Sequence, residues 1–422
     1  MSYKNLLIGN EKNLSQKIFI WNMMGSTLYS LTSVILMLSV TRVLGMESAG
    51  IFQIAFTTGQ LMLTIAYYEM RPYQVTDVHD KFEFKEYFTV RIVTCILMIF
   101  CSMIFIVIKG YAKEKAIIVF LLCLYKMMDG LADVFEGTFQ KSGRLDVAGK
   151  SLSFRTIITS IVFMVSVYVT KNLFISSIIL VMVAISVFFI FDVSIASNFC
   201  EVKLSKNIDA IKKLLKECLP FFLASFMSIY VLNAIKYAID GNLSDTYQSI
   251  YGIIFMPSFT ISLLSGFILK PLLTTLAGSW KERNIIKFKK MVFKLILCIM
   301  AFTLIGLIGA YFLGIPVLSW LYNQDLSGYK IELLILLFSG GISAINTAFY
   351  YTLTVMRSTK SILFSYSLAT IVALLFANTI VAKWKLIGGA TFHLIIMLLL
   401  CITFASMTIW NFKRNDNKLT TS

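Results

Sequence analysis

IFIWNMMGSTLYSLTSVILMLSVTRV, residues 18–43, is an apolar stretch longer than the roughly 20 residues that cross a hydrocarbon core of about 30 Å. Lys4, Lys12 and Lys17 precede it, as in the basic start of a secretory leader. The run is too long for a leader's apolar core and carries no small-residue cleavage pattern, so it reads as a first membrane span that is kept. Similar windows recur along the chain, near 18–42, 48–70, 88–108, 115–137, 152–170, 173–197, 215–238, 247–270, 288–313, 331–355, 361–382 and 387–411. The expected fold is an all-α polytopic membrane protein of about twelve transmembrane helices. The seventh window is the least regular, interrupted by Pro220, Ser225, Ser228, Asn233 and Lys236.

Composition agrees. Of 422 residues, 58% are hydrophobic and 14% charged, and a water-soluble fold would leave much of that apolar surface uncovered. The net charge of +16 raises the question of nucleic acid. The basic residues lie between apolar runs and form neither a stripe nor an arm, so no nucleic-acid partner is expected. They instead orient the spans: with both termini cytoplasmic, most lysines and arginines fall on the cytoplasmic side. The densest segments are 203–216 and 281–294, and WKERNIIKFKKMVFKL (Trp280–Leu295) is expected to lie along the anionic inner leaflet. External joins are short, the longest expected from Leu313 to Lys330. A mid-chain join suggests two six-helix lobes, 1–200 and 215–422, around a linker at 201–214. TRVLGMESAGIFQIAF (Thr41–Phe56) and YAIDGNLSDTYQSIYGIIF (Tyr237–Phe255) echo each other at matching places in the two halves.

Ionisable groups inside the membrane cost about 2.5 kcal/mol or more at a helix centre, so they normally face a cavity or a partner. The fourth window holds the densest set. Lys126, Asp129, Asp133, Glu136 and Gln140 recur at three- and four-residue spacing and share one helix face. That stripe reads either as a hydrophilic cavity wall, with Lys126 for an anion and the aspartates for a cation or sugar hydroxyls, or as a self-neutralising Lys126–Asp129 pair that cements packing. YYEMRPYQVTD (Tyr67–Asp77) places Glu69 and Arg71 at the membrane edge, as a site or as an interfacial anchor with a helix stop at Pro72. In QKSGRLDVAGKSLSFR (Gln140–Arg155), Gly143 and Gly149 permit a tight turn across which Arg144 and Asp146 could pair, which reads as a structural joint. Arg42 ends the first window, and Lys236 with Asp240 ends the seventh. Cations so placed would attract phosphate, although snorkelling to the surface accounts for each singly. Asp192, Lys270 and Arg357 near helix ends are expected to snorkel.

Other chemistry is thinly represented. The seven cysteines lie mostly in or beside apolar runs without a CxxC pair, and the histidines, His79 and His393, are far apart. No disulfide framework and no metal site are expected. Nucleophile-elbow, phosphate-loop and HExxH patterns are missing, which argues against an enzyme.

The segment WNMMGSTLYSLTSVILMLSVTRVLGMESAGIFQIAFTTGQ (Trp21–Gln60) resembles the start of bacterial polysaccharide biosynthesis proteins. These are oligosaccharide-lipid flippases of the multidrug/oligosaccharidyl-lipid/polysaccharide exporter superfamily. YEMRPYQVTD and DGLADVFEGTFQKSGRLDVAGKSLSFR are similar to that family too, so the resemblance covers about the first 155 residues. It implies two lobes around a central cavity that opens alternately to each side of a bacterial cytoplasmic membrane. It also implies a polyprenyl-diphosphate-linked oligosaccharide as cargo, with a polysaccharide polymerase and glycosyltransferases as partners. No cofactor is implied; coupling to an H+ or a Na+ gradient stays open. Taken from their positions, and in agreement with that resemblance, Lys126, Asp129, Asp133, Arg42, Glu69, Arg71 and Lys236 are the expected cavity residues. The clustered arginines of lipid II flippases have no clear match, since the first window offers only Arg42. A drug/cation antiporter of the same fold and a membrane polymerase or transferase are the alternatives.

Overall fold

The computed structural model describes residues 8–9, 13–77, 81–282 and 285–420, leaving aside the side chains of 262–264, 267–271, 273–274, 285 and 413–420. His79 and the side chain of Lys270 lie outside this description. The described residues form helices and no strands: α1 (Leu14–Tyr67), α2 (Met70–Thr76), α3 (Phe84–Lys109), α4 (Lys113–Lys141), α5 (Leu145–Thr170), α6 (Leu173–Phe188), α7 (Ile208–Asn242), α8 (Asp245–Lys281), α9 (Ile285–Gly309), α10 (Lys330–Val355) and α11 (Thr359–Thr420). Each of the twelve expected windows falls on one of them, with two windows in α1 and two in α11. Large apolar side chains such as Val107, Ile108, Tyr168, Ile305 and Leu375 point outward, as a lipid-facing surface requires.

The fold is decided by how these helices bend. α1 runs 54 residues and breaks only at Gly45, with φ 84 and ψ −178, a conformation open to glycine and costly for other residues. α11 has the same device at Lys385, φ 46 and ψ −135. Tyr68 and Glu69, both left-handed at φ 47 and 49, end α1 and turn the chain into α2. Pro72 was expected to stop a helix; it lies in the first turn of α2, where its missing N–H is not needed. Asp192 sits in a π turn, Phe189–Val193, that extends α6. A second π turn, Ala310–Gly314, carries α9 on into Ile315–Tyr322, so the expected long join at 313–330 shrinks to a few residues. Pro316 is tolerated there because it opens the last helical segment.

The chain packs as two compact units, Met1–Ile229 and Tyr230–Ser422, with the division inside α7. The extended residues ahead of α7 and its first turns are fastened to the first unit. The Ser205 backbone N–H donates to Thr89 Oγ1 at 2.8 Å and its hydroxyl to Glu86 Oε1 at 2.8 Å, while that hydroxyl accepts from the Asn207 N–H at 3.1 Å. Lys81 donates to Glu217 at 2.6 Å, Tyr73 also bonds Glu217, and Tyr68 stacks on Phe222 at 4.6 Å.

Within the first unit, glycines bring helices into contact. A Cβ at Gly149 of α5 would lie 2.5 Å from the Trp21 carbonyl carbon of α1, and one at Gly130 of α4 would lie 2.8 Å from Ala66 Cβ. In the second unit α10 packs against α8, α9 and α11 around Leu295, Ile299, Leu337, Ala344 and Ala348.

Candidate functional site

The stripe on α4 is one wall of a buried ion-pair network in the first unit. Its i, i+3, i+4 spacing aims Lys126, Asp129, Asp133, Glu136 and Gln140 the same way, and three neighbouring helices each supply an arginine. Arg71 of α2 donates to Asp133 Oδ1 at 3.2 Å, to Glu136 Oε2 at 2.7 Å and to Gln140 Oε1 at 3.2 Å. Arg91 of α3 donates to Asp133 Oδ2 at 2.5 Å and also to the Ala66 carbonyl at the end of α1. Arg155 of α5 donates to Glu136 Oε1 at 2.9 Å and to Asp192 Oδ2 at 2.8 Å, and lies 3.4 Å from Asp129 Oδ1. Ser151 completes Asp192 at 2.6 Å.

Lys126 closes the deep end. Its ammonium donates to Asp129 Oδ2 at 3.0 Å and lies over the rings of Tyr29, Phe56 and Tyr125 at 4.7, 4.7 and 4.9 Å. The side chain is 0% exposed, so the charge is held by one carboxylate and an aromatic cage. Of the two readings of the stripe, the Lys126–Asp129 pair is therefore formed here, and Lys126 faces no open space in this conformation. Arg71 is the network's accessible cation, its side chain 25% exposed, while the Arg91 and Arg155 side chains are 0% and 4% exposed.

The network is balanced: Arg71, Arg91, Lys126 and Arg155 face Asp129, Asp133, Glu136 and Asp192. Each carboxylate except Asp192 is shared by two cations, so withdrawing one side chain leaves its partners only partly compensated.

The other sequence candidates fall as follows. Glu69 does not pair with Arg71; it is half-buried in the left-handed turn that presents Arg71 to α4. Arg42 is exposed, close before the break at Gly45. Lys236, in the second unit, is half-buried with its ammonium 4.9 Å from the Phe255 ring centroid. Arg144 and Asp146 do pair, at 2.9 Å, beyond the left-handed Gly143, with Lys150 3.9 Å from the same carboxylate. Gly149 serves the α1–α5 crossing and not that turn. Asp192 does not snorkel: the π turn carries it inward to Arg155. Arg91 and Arg155 escaped the sequence reading although both lie inside expected spans. The rule that singled out Lys126, an ionisable side chain within an apolar window, applies to them equally.

Outside the spans, Asp77 organises the entry to α3. Burial works to raise its carboxyl, but the backbone N–H groups of Lys81 and Phe82, at 3.0 and 3.1 Å, and the Tyr87 hydroxyl at 2.9 Å outweigh it. They hold the group below the ordinary carboxylate range.

No family model matches the chain. Among curated proteins it is 22% identical over 379 residues to the capsular polysaccharide biosynthesis protein CapF of Staphylococcus aureus, covering 89% of this chain and 94% of the relative. Among solved structures, the inward closed conformation of the lipid II flippase MurJ superposes with a TM-score of 0.68 at 14% identity, covering 94% of this chain and 88% of that one. A MOP superfamily transporter from Pyrococcus furiosus superposes with a TM-score of 0.56 at 15% identity over 98% of both chains. An inward-facing multidrug resistance MATE transporter gives a TM-score of 0.59 at 15% identity, over 100% of this chain and 97% of the other. This is the fold of the MOP-superfamily transporters. The resemblance read from the first 155 residues thus extends, as a fold, over the whole chain, and the chain is a multi-pass membrane protein.

Proposed function

We propose that the chain is a flippase that carries an undecaprenyl-diphosphate-linked oligosaccharide across the bacterial cytoplasmic membrane by alternating access, for capsule or a related surface polysaccharide. The observation that carries this reading is similarity to a capsular polysaccharide biosynthesis protein along nearly the full length of both chains. The likeness in fold to a lipid II flippase supports it. In this reading both termini are cytoplasmic, the orientation that the distribution of lysine and arginine favours. A polysaccharide polymerase and glycosyltransferases would work on either side of the step.

In this reading Arg71 meets the diphosphate. It is the accessible guanidinium of the network, and planar guanidinium matches phosphate oxygens in pairs. A diphosphate would displace Asp133 and Glu136 from Arg71 while Arg91 and Arg155 keep those carboxylates compensated. Glu69 holds the turn that aims Arg71. Lys126 and Asp129 set the field behind it, and Arg42 and Lys236 are the further cations of the path.

A drug/cation antiporter wants a net-acidic site, and the balance of four cations and four carboxylates gives that reading no advantage. A polymerase or transferase wants a sizeable loop, and the join after Tyr322 is short. The deciding experiment uses a strain lacking this protein. The lipid-linked repeat unit is expected to accumulate on the cytoplasmic leaflet; accumulation of unpolymerised units outside would overturn the proposal in favour of a polymerase. In the complemented strain, Arg71→Ala should reduce polymer export at least tenfold with the protein still in the membrane, and export at the wild-type level would remove Arg71 from the site.

A further inference from the structure

The second unit buries several polar side chains that its own packing leaves unsatisfied. Gln248 and Tyr251 lie three residues apart on one face of α8, 0% and 1% exposed. Neither end of the Gln248 amide has a hydrogen-bond partner, and neither has the Tyr251 hydroxyl. Tyr251 stacks on Phe255 at 5.9 Å, and Phe255 meets the His393 ring of α11 edge-on at 5.3 Å. His393 is 1% exposed; its Nδ1 is 2.6 Å from Ser339 Oγ of α10, while Nε2 makes no well-formed hydrogen bond and the ring has the Leu232 backbone of α7 beside it.

A buried polar atom without a partner costs about 1–3 kcal/mol, so four of them on side chains linked through the Tyr251, Phe255 and His393 rings need a reason. Water answers it, because a buried water serves two to four such atoms at once. The rings of Tyr251 and Phe255 connect Gln248, near the start of α8, to His393, and Gly389 one turn before His393 leaves room for Tyr251 and Ile235.

We propose that Gln248, Tyr251 and His393 form a hydrated proton-binding site inside the second unit, with His393 Nε2 as the atom that takes and returns the proton. In the neutral ring, Nδ1–H donates to Ser339 Oγ and the Nε2 lone pair accepts a proton from a bound hydronium, leaving water and an imidazolium. Return of the proton to water restores the neutral ring, so charge and atoms balance without a further reactant. Of the ionisable groups on the surrounding helices, Lys236 of α7 meets the Phe255 ring that His393 also touches and Tyr251 of α8 stacks on that ring; α10 contributes the neutral Ser339. Lys236 and His393 lie against the same Phe255 ring, so the charge of one is felt by the other. The inference stands apart from the nature of the cargo.

The chain has only two histidines, which makes the test direct. Full-length protein carrying His79→Gln is labelled with 15N-histidine, placed in lipid nanodiscs and followed by NMR as pH is varied. His393 is expected to pass from neutral to imidazolium within roughly pH 4–8, a window accessible to histidine. Lys236→Met, which removes the neighbouring cation, should move that transition to higher pH. The pair Gln248→Leu with Tyr251→Phe should abolish water-to-imidazole exchange cross-peaks while the ring stays bonded to Ser339. A ring that stays neutral throughout, in both the parent and Lys236→Met proteins, would overturn the proton site. Unchanged water exchange in the double variant would overturn the role of Gln248 and Tyr251.

Discussion

Among the described residues, every buried Asp, Glu, Lys and Arg lies in the first unit, from Asp77 to Asp192. Among the described residues the second unit buries serine, threonine, asparagine, glutamine and a histidine, and its Lys236 and Asp240 are only half-buried. Both are bundles of long apolar helices, so the membrane alone does not dictate the difference. A buried ion pair is weak evidence of stability, because desolvating two charges offsets much of their attraction. What the network does is tie five helices of the first unit together, through side chains of α2, α3, α4 and α5 and of the π turn that extends α6. The second unit relies on close packing of apolar and small residues, such as Gly340 against Ser258 and Gly341 against Thr303. It is thereby free to keep neutral polar groups inside.

The sharpest way to break this comparison is Arg155→Ala. It strips partners from Asp129, Glu136 and Asp192 together, and removing one member of a buried pair costs about 3–5 kcal/mol. Thermal unfolding in detergent should show a large loss, and a near-neutral result would mean that the network does not hold the first unit. Next is Gly149→Leu, which drives a side chain into the Trp21 backbone and should cost roughly 1–3 kcal/mol by forcing α1 from α5. In the second unit, Asn346→Ala removes the donor to the Met397 carbonyl at 3.0 Å, and a loss of about 1 kcal/mol is expected. A penalty as large as that of Arg155→Ala would erase the contrast. The smallest effect is that of acid on Asp77. Because its folded carboxyl titrates below the ordinary value, its contribution is complete above about pH 4 and is lost as pH falls through the folded value. Asp77→Asn should therefore flatten the acid limb of the stability profile, and an unaltered limb would show that its hydrogen bonds matter little.

Much of this was legible in the sequence. Twelve apolar windows and the stripe from Lys126 to Gln140 needed only hydropathy and helical periodicity. What escaped was partnership across helices. Glu69 and Arg71 read from the sequence as one cluster at the membrane edge, yet the left-handed turn at Tyr68 and Glu69 sends Arg71 to α4. Arg91 and Arg155 were hidden because a single arginine in a long apolar window barely changes its mean hydropathy. The inward turn of Asp192 depends on a π turn, for which no residue pattern gives notice.

The break at Gly45 has a mechanical consequence. Only one residue separates the two spans of α1, so there is no slack between them. Each arm can swing about that point, but neither can slide lengthwise without dragging the other, as in a jointed rod with a pin and no slot. Shape changes in this pair are thus confined to angles, and the distance each arm penetrates the bilayer is set by its fellow.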